Sequence, residues 1–162
     1  MEEIKKYTCC FLGHRKIPET NDLKIKLYLQ VEKLIVNEKV HTFLFGSRSE
    51  FDKLCHSIVT ILKQKYPFIK RIYVRAEFPY INNEYRNYLL EKYEDTYYPL
   101  KITGAGKAVY IERNCKMIDS SAFCICYYDK NYSTPKSGKS GTAIAYSYAA
   151  KKGLRIINIF NQ

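Results

Sequence analysis

The chain has 162 residues, 46% of them hydrophobic and 27% charged, which is the composition of one ordinary domain over 1–162 with apolar side chain enough for a single core. Lysine and arginine number 27 against 16 acidic residues, and the net charge of +11 points to an anionic partner, leaving nucleotide, nucleic acid and membrane surface open. No apolar run approaches the roughly 18 to 20 residues of a membrane span, and the opening Met-Glu-Glu-Ile-Lys-Lys is not a secretory signal, so a cytoplasmic protein without membrane attachment is expected.

The first predicted strand, residues 8–12, is a continuous apolar run that ends in Gly13-His14-Arg15. A helix is expected after the capping cluster Thr20-Asn21-Asp22, with Leu27, Val31, Leu34 and Ile35 on one face. The second strand, 42–45, runs into Gly46-Ser47-Arg48, and a helix beginning after Ser49 turns Phe51, Leu54, Cys55, Ile58, Ile61 and Leu62 inward. A third strand is expected at 71–74. Residues 77–106 are the least regular, with Tyr80, Tyr85, Tyr88, Tyr93, Tyr97 and Tyr98 between Pro79 and Pro99 or beside them. A helix over about 82–94 would set Tyr85, Tyr88 and Leu89 on one face, as rings that either pack a surface helix or wall in a ligand base. Gly104-Ala-Gly-Lys-Ala-Val109 is a broken GxGxxG, with Val109 in place of the third glycine, and reads as a turn. The next helix carries Ala108, Ile111, Cys115 and Ile118 as its apolar stripe. A strand at 122–128, a helix at 142–152 that stops at Gly153, and a fifth strand at 155–160 complete the chain.

Continuous apolar strands alternating with helices are what a parallel sheet covered on both faces requires. The expected fold class is therefore α/β, a three-layer Rossmann-like domain with a mainly parallel sheet of about five strands and helices on both faces. Ligands of such sheets bind outside the carboxyl ends of the strands, where the strand order reverses. Chemistry is to be sought in the turns that follow strands.

Three such turns carry unusual residues. The stretch from Lys136 through Ser137, Gly138, Lys139, Ser140 and Gly141 to Thr142 follows a strand and opens a helix, so its amides would face outward at the positive end of a helix dipole, where phosphate binds. The other reading is a flexible turn with Ser140 or Thr142 as N-cap. A Walker A loop fails on spacing, because GxxxxGKS/T needs glycine where Ser133 stands, and Pro135 interrupts the run of amides. Arg15 and Arg48, each beside a glycine, would bring cations to the same place if their strands are neighbours. His14 is expected to hydrogen-bond rather than to act as acid or base. Asp52 reads as part of a capping box begun at Ser49, or, like Glu77, as an acceptor for ribose hydroxyls. The six cysteines form no CxxC pair, and none of the three histidines stands at zinc-ligand spacing from them, so reduced core thiols are expected and no metal.

Four blocks taken together, CCFLGHR at 9–15, FGSRSEFD at 45–52, RNCKMID at 113–119 and SGTAIAYSYA at 140–149, resemble the SLOG superfamily of Rossmann-like nucleotide-binding domains, nearest to its YpsA-like branch. The resemblance runs over nearly the whole chain. It implies a nucleotide or nucleotide-derived signal molecule held between the first, second and last glycine-containing loops. The expected contacts are Gly13, His14, Arg15, Gly46, Ser47, Arg48, Phe51, Asp52, Glu77, Ser137, Gly138, Lys139, Ser140, Gly141 and Thr142. The lonely-guy phosphoribohydrolases carry PGGxGTxxE at the last helix start; here Gly141-Thr142 match, while Ala145 stands at the catalytic glutamate.

The expectation that follows is a sensor or sequestering protein for a small phosphate-bearing nucleotide derivative, with no cofactor and with self-association left open. The alternatives are a nucleotide N-glycosidase or phosphoester hydrolase using Asp52 or Glu77 on the same site, and a nucleic-acid-binding module. Basic residues are scattered rather than striped along the sequence, which argues against nucleic acid as the partner.

Overall fold

The computed structural model describes residues 2–100, 102, 104, 106–132 and 140–161. Strands and helices alternate in the order α1 (Glu2–Lys5), β1 (Thr8–Gly13), α2 (Asn21–Asn37), β2 (Thr42–Phe45), α3 (Glu50–Lys65), β3 (Lys70–Val74), α4 (Asn83–Leu90), β4 (Asp95–Tyr97), α5 (Ala108–Asp119), β5 (Phe123–Tyr127), α6 (Gly141–Lys151) and β6 (Arg155–Asn158), closed by a 3₁₀ turn, Ile159–Asn161. Polar side chains set the helix starts. The Thr20 hydroxyl accepts from the Leu23 amide, Ser49 from Asp52 and Ser140 from Ala143, at 3.0 to 3.1 Å. After α6, Gly153 takes φ +78°, the left-handed conformation that glycine adopts at least cost.

The six strands form one sheet in the order β4-β3-β2-β1-β5-β6, with every neighbouring pair parallel. Both faces are covered, which explains the continuous apolar strands. Cys9, Phe11, Phe43, Phe45, Phe123 and Ile125 point to the face under α2 and α3. Cys10, Leu12, Leu44, Val74, Cys124 and Cys126 point the other way, to Met117 and Ile118 of α5 and Ala145 and Ala149 of α6. From β1 the chain adds strands outward to β4 with α2 and α3 on one side. It then crosses back through α5 to lay β5 on the far side of β1, and right-handed crossovers in the two directions put the helices on opposite faces. The order therefore reverses between β1 and β5.

Several expectations shift by a strand or a turn. The sheet gains a sixth strand at β4, a three-residue edge whose Thr96 alone is buried. The helix expected over 82–94 spans only Asn83–Leu90, because the chain must straighten to pair β4 with β3. The final strand ends at Asn158. In α3, Ile61 is 52% exposed and Val59 is buried, and in α5, Ile111 is 39% exposed while Arg113, Met117 and Ile118 form the buried side. All six cysteines are free thiols, five of them buried and Cys115 half-buried. Among the described residues, no helix is long and apolar enough to cross a membrane.

Candidate functional site

Outside the carboxyl ends of β5, β1, β2 and β3 lies a cleft of about 820 Å³, within the size range of small-molecule sites. Each of three adjacent strands delivers an arginine to it within three residues of its end: Arg15 after β1, Arg48 after β2 and Arg75 after β3. Arg113 reaches in from α5. Opposite them is the N-terminus of α6, with Ser140, Gly141 and Thr142 in the wall. A Cβ built at Gly141 meets no heavy atom of the described residues within 4 Å.

Arg113 is 4% exposed, an unusual place for a cation. Its Nη1 donates to the Gly46 carbonyl at 2.5 Å and its Nε to Asn114 Oδ1 at 3.0 Å. Gly46 is glycine because of it: a Cβ there would lie 2.7 Å from Arg113 Cδ and 3.0 Å from Met117 Sδ. Gly13 likewise leaves room for Phe51, whose Cδ2 would sit 2.3 Å from an added Cβ. Gly13 and Gly46, both expected contacts, line the cleft, and the place a Cβ would take at each is filled by one of the protein's own side chains.

This corrects two expected contacts. Phe51 is wholly buried under Gly13, and Asp52 is 4% exposed; neither lines the cleft. Nor does Asp52 complete a capping box, since the Ser49 amide donates to Ser47 Oγ. Burial pushes the Asp52 carboxyl up to about 8, against the opposing pull of Arg113 and of the Gly46 and Ser47 amides. Its Oδ1 is buried without a hydrogen-bond partner among the described residues. At neutral pH it is chiefly a neutral acid beneath the floor.

His14 is 2% exposed and does hydrogen-bond, accepting at Nε2 from the Asp129 amide at 2.9 Å. That bond puts the imidazole proton on Nδ1, which is buried with no partner among the described residues. Tyr132 lies flat on the ring at a centroid distance of 3.9 Å. Burial holds the His14 pKa below 6.5, against the Asp129 carboxylate. The imidazole is therefore neutral at pH 7 and fixes the turn that leaves β5 toward α6.

Glu77 is exposed in the cleft and accepts from the Tyr110 hydroxyl at 2.5 Å. Arg48 lies against the Tyr73 hydroxyl, and Tyr85 packs edge-on to Phe78. Ser47 also lines the cleft. The expected contacts Ser137, Gly138 and Lys139 fall outside the described residues, as do Ser133 and Pro135, on which the Walker A comparison turns.

Eight charged or aromatic residues that line the cleft were not among the expected contacts: Arg75, Lys107, Arg113, Phe78, Tyr73, Tyr85, Tyr110 and Tyr132. Arg75 had a signal, since it follows its strand as Arg15 and Arg48 follow theirs. Its Nε donates to the Phe78 carbonyl at 3.0 Å and its Nη1 to Thr96 Oγ1 at 3.2 Å. Outside the cleft, Arg71 and Arg155 are paired with Glu94 and Glu38 at 2.6 and 2.7 Å. Among the described residues none of the four cleft arginines has a carboxylate partner in an ion pair. Chemically the site is a cationic, ring-walled crevice with one exposed carboxylate, Glu77, suited to an anion that also carries a flat group.

An all-parallel sheet that reverses between β1 and β5, with the crevice at the reversal, defines a Rossmann-like α/β fold. Among solved structures the chain is similar to DNA processing protein A from Helicobacter pylori, a structure described for its single-stranded DNA binding mode, with a TM-score of 0.59 and 14% sequence identity. The alignment covers 94% of this chain and 64% of that one, and at such identity the likeness concerns the fold. No family model and no curated protein matches the sequence.

Proposed function

We propose that this chain is a SLOG-like domain of the YpsA-like branch that binds a phosphate-bearing nucleotide or nucleotide-derived signal molecule in the cleft, as a sensor or sequestering protein. The observation that carries the reading is one cleft, at the reversal of strand order, lined by the N-terminus of α6 and by four arginines, none of them in an ion pair among the described residues. The phosphate sits at the Ser140, Gly141 and Thr142 amides beside Arg15, and Glu77 meets a sugar or base hydrogen. Ala145 lines the cleft where the related hydrolases carry their glutamate, and a methyl group moves no proton. With Asp52 beneath the floor, Glu77 is the carboxylate left for the hydrolase alternative.

The test is to denature the purified protein and identify any released molecule by mass spectrometry, then to titrate nucleoside mono-, di- and triphosphates. A nucleotide-sized mass, or saturable binding of one of these, supports the reading. No released nucleotide and no binding by any of them overturns it.

A second reading is favoured by the likeness to a protein described as binding single-stranded DNA: a strand crosses the same cleft, with tyrosines stacking bases and arginines on phosphates. Salt separates the two. A strand held by 6 to 10 phosphate contacts loses roughly a thousandfold or more in affinity between about 50 and 200 mM salt, whereas a single nucleotide loses far less.

A further inference from the structure

We infer that Asp52 is a positioning residue for this cleft: a phosphate-bearing ligand binds together with a proton held on the Asp52 carboxyl, which leaves the charge of Arg113 to the ligand. The inference rests on the nucleotide reading above and adds the regulation of the same site. Asp52 and Arg113 are each 4% exposed, and both act on the turn after β2. Arg113 Nη1 donates to the Gly46 carbonyl, while the Gly46 and Ser47 amides favour the charged form of the Asp52 carboxyl. Of the two side chains only Arg113 lines the cleft. No ion pair among the described residues joins them, and Asp52 Oδ1 has no hydrogen-bond partner among those residues. An ionised carboxylate there is a buried charge with one oxygen unmet; a neutral acid is only a buried polar group, and costs far less.

The ligand biases the choice between these two states. A carboxylate beneath the floor and a phosphate in the cleft draw on the same guanidinium and repel each other, so each makes the other's charge harder to hold. Burial already pushes the Asp52 carboxyl up to about 8, against Arg113 and the two amides, and a phosphate in the cleft pushes the same way. Affinity is therefore full below about 8, where the free protein carries the proton, and falls as pH rises past that value, because the ligand must then bring a proton in with it. The titratable groups around Asp52 keep one state through that range. Burial raises Cys55 on its own helix and Cys9 on β1 above the ordinary thiol value of 9.0, and Tyr73 on β3 and Tyr93 after α4 above 10. Burial lowers His14 and His56 below 6.5. Arg113 keeps its proton throughout, and β2 supplies no titratable side chain. Glu77 acts on Arg113 as well, more weakly than Asp52 does, and is common to the two proteins compared below.

The experiment titrates the 5′-diphosphates of adenosine, guanosine, cytidine and uridine into the wild-type chain and Asp52→Asn between about pH 7.5 and 9.5. Dividing the wild-type affinity by that of the variant at each pH cancels any ionisation of the ligand itself. The ratio should fall about fivefold or more across that range, and calorimetry near pH 8.5 in two buffers of different ionisation enthalpy should show proton uptake by the wild type alone. A ratio that stays constant or rises overturns this inference and leaves the nucleotide reading standing. Failure of all four diphosphates to bind either protein overturns the two together. Carboxyl carbon NMR reads the same coupling on the wild type without a variant. The Asp52 resonance should titrate about one pH unit or more higher with a diphosphate bound, and an unmoved midpoint overturns the inference. In Arg113→Gln that movement should vanish; its persistence would overturn Arg113 as the intermediary.

Discussion

Gly46 and Arg113 make a single device at the residue scale. The guanidinium occupies the place a side chain at 46 would take and ties α5 to the end of β2 through the Gly46 carbonyl. Gly46→Ala should therefore force Arg113 and Met117 aside and destabilise the fold by roughly 1 to 3 kcal/mol, the usual cost of overpacking, with weaker nucleotide binding; urea melts and a titration check both. Asp52 beneath them carries a pH signature. Its folded value of about 8 lies above the ordinary 3.8, so its contribution to stability is fully present below pH 3.8, declines as the unfolded chain alone releases the proton, and is lost as pH rises through about 8. Asp52→Asn has no such proton to lose. Relative to wild type it should gain stability steadily between pH 5 and pH 8.5 in denaturant melts, and a constant difference across that range would show Asp52 to be ionised in the fold.

At the scale of elements, the loop leaving β5 is held by β1. His14 gives the Asp129 amide its acceptor and Tyr132 its stacking partner, so the turn that carries Arg15 also holds Asp129 and Tyr132 after β5. His14→Leu leaves that amide unmet; a stability loss of about 1 to 3 kcal/mol should accompany weaker nucleotide binding, measured by melts and titration. Most elements could be read from the residues, because 8–12 and 42–45 are unbroken apolar runs and Thr20, Ser49 and Gly153 mark helix ends. What escaped has physical causes. Asp95-Thr96-Tyr97 is too short and too polar to register as a strand, and pairs only because β3 offers it an edge. In α5, apolarity selects Ile111 for the core over Arg113, and the partner that makes an arginine tolerable there, the Gly46 carbonyl, lies 67 residues upstream. The same distance hid half of the site. The turns after β1 and β2 and the start of α6 could be found locally, but that Phe51 and Arg113 fill the place of a side chain at Gly13 and Gly46 is a fact of packing between elements.

For the whole molecule, the charge of +11 raises the local concentration of any anion, but the reading advanced above makes affinity depend on the cleft rather than on that field. Thermal denaturation tests this. A nucleotide present at about 100 times its dissociation constant should stabilise the fold by about 2.7 kcal/mol, a rise of roughly 5 to 11 °C in Tm for a chain of this size. The shift should survive 200 mM salt; its collapse on adding salt would indicate diffuse attraction or a bound strand.

The reversal of strand order has a consequence in time as well as in space. The β1 strand, from Thr8, is made more than a hundred residues before its neighbour β5 and the α6 start, so the pairing of Cys9 with Phe123 through Gly13 with Tyr127 closes one of the longest loops among the strand pairs. Until that seam closes, Arg15 and the α6 amides are strangers, and a chain holding only β1 to β4 owns Arg15, Arg48 and Arg75 but not the crevice. A molecule lodged there acts as a rivet across this long-range joint. It should slow the opening of this seam above all others, and amide hydrogen exchange would record it as protection gained in β1 and β5 while the β4 edge continues to exchange as before.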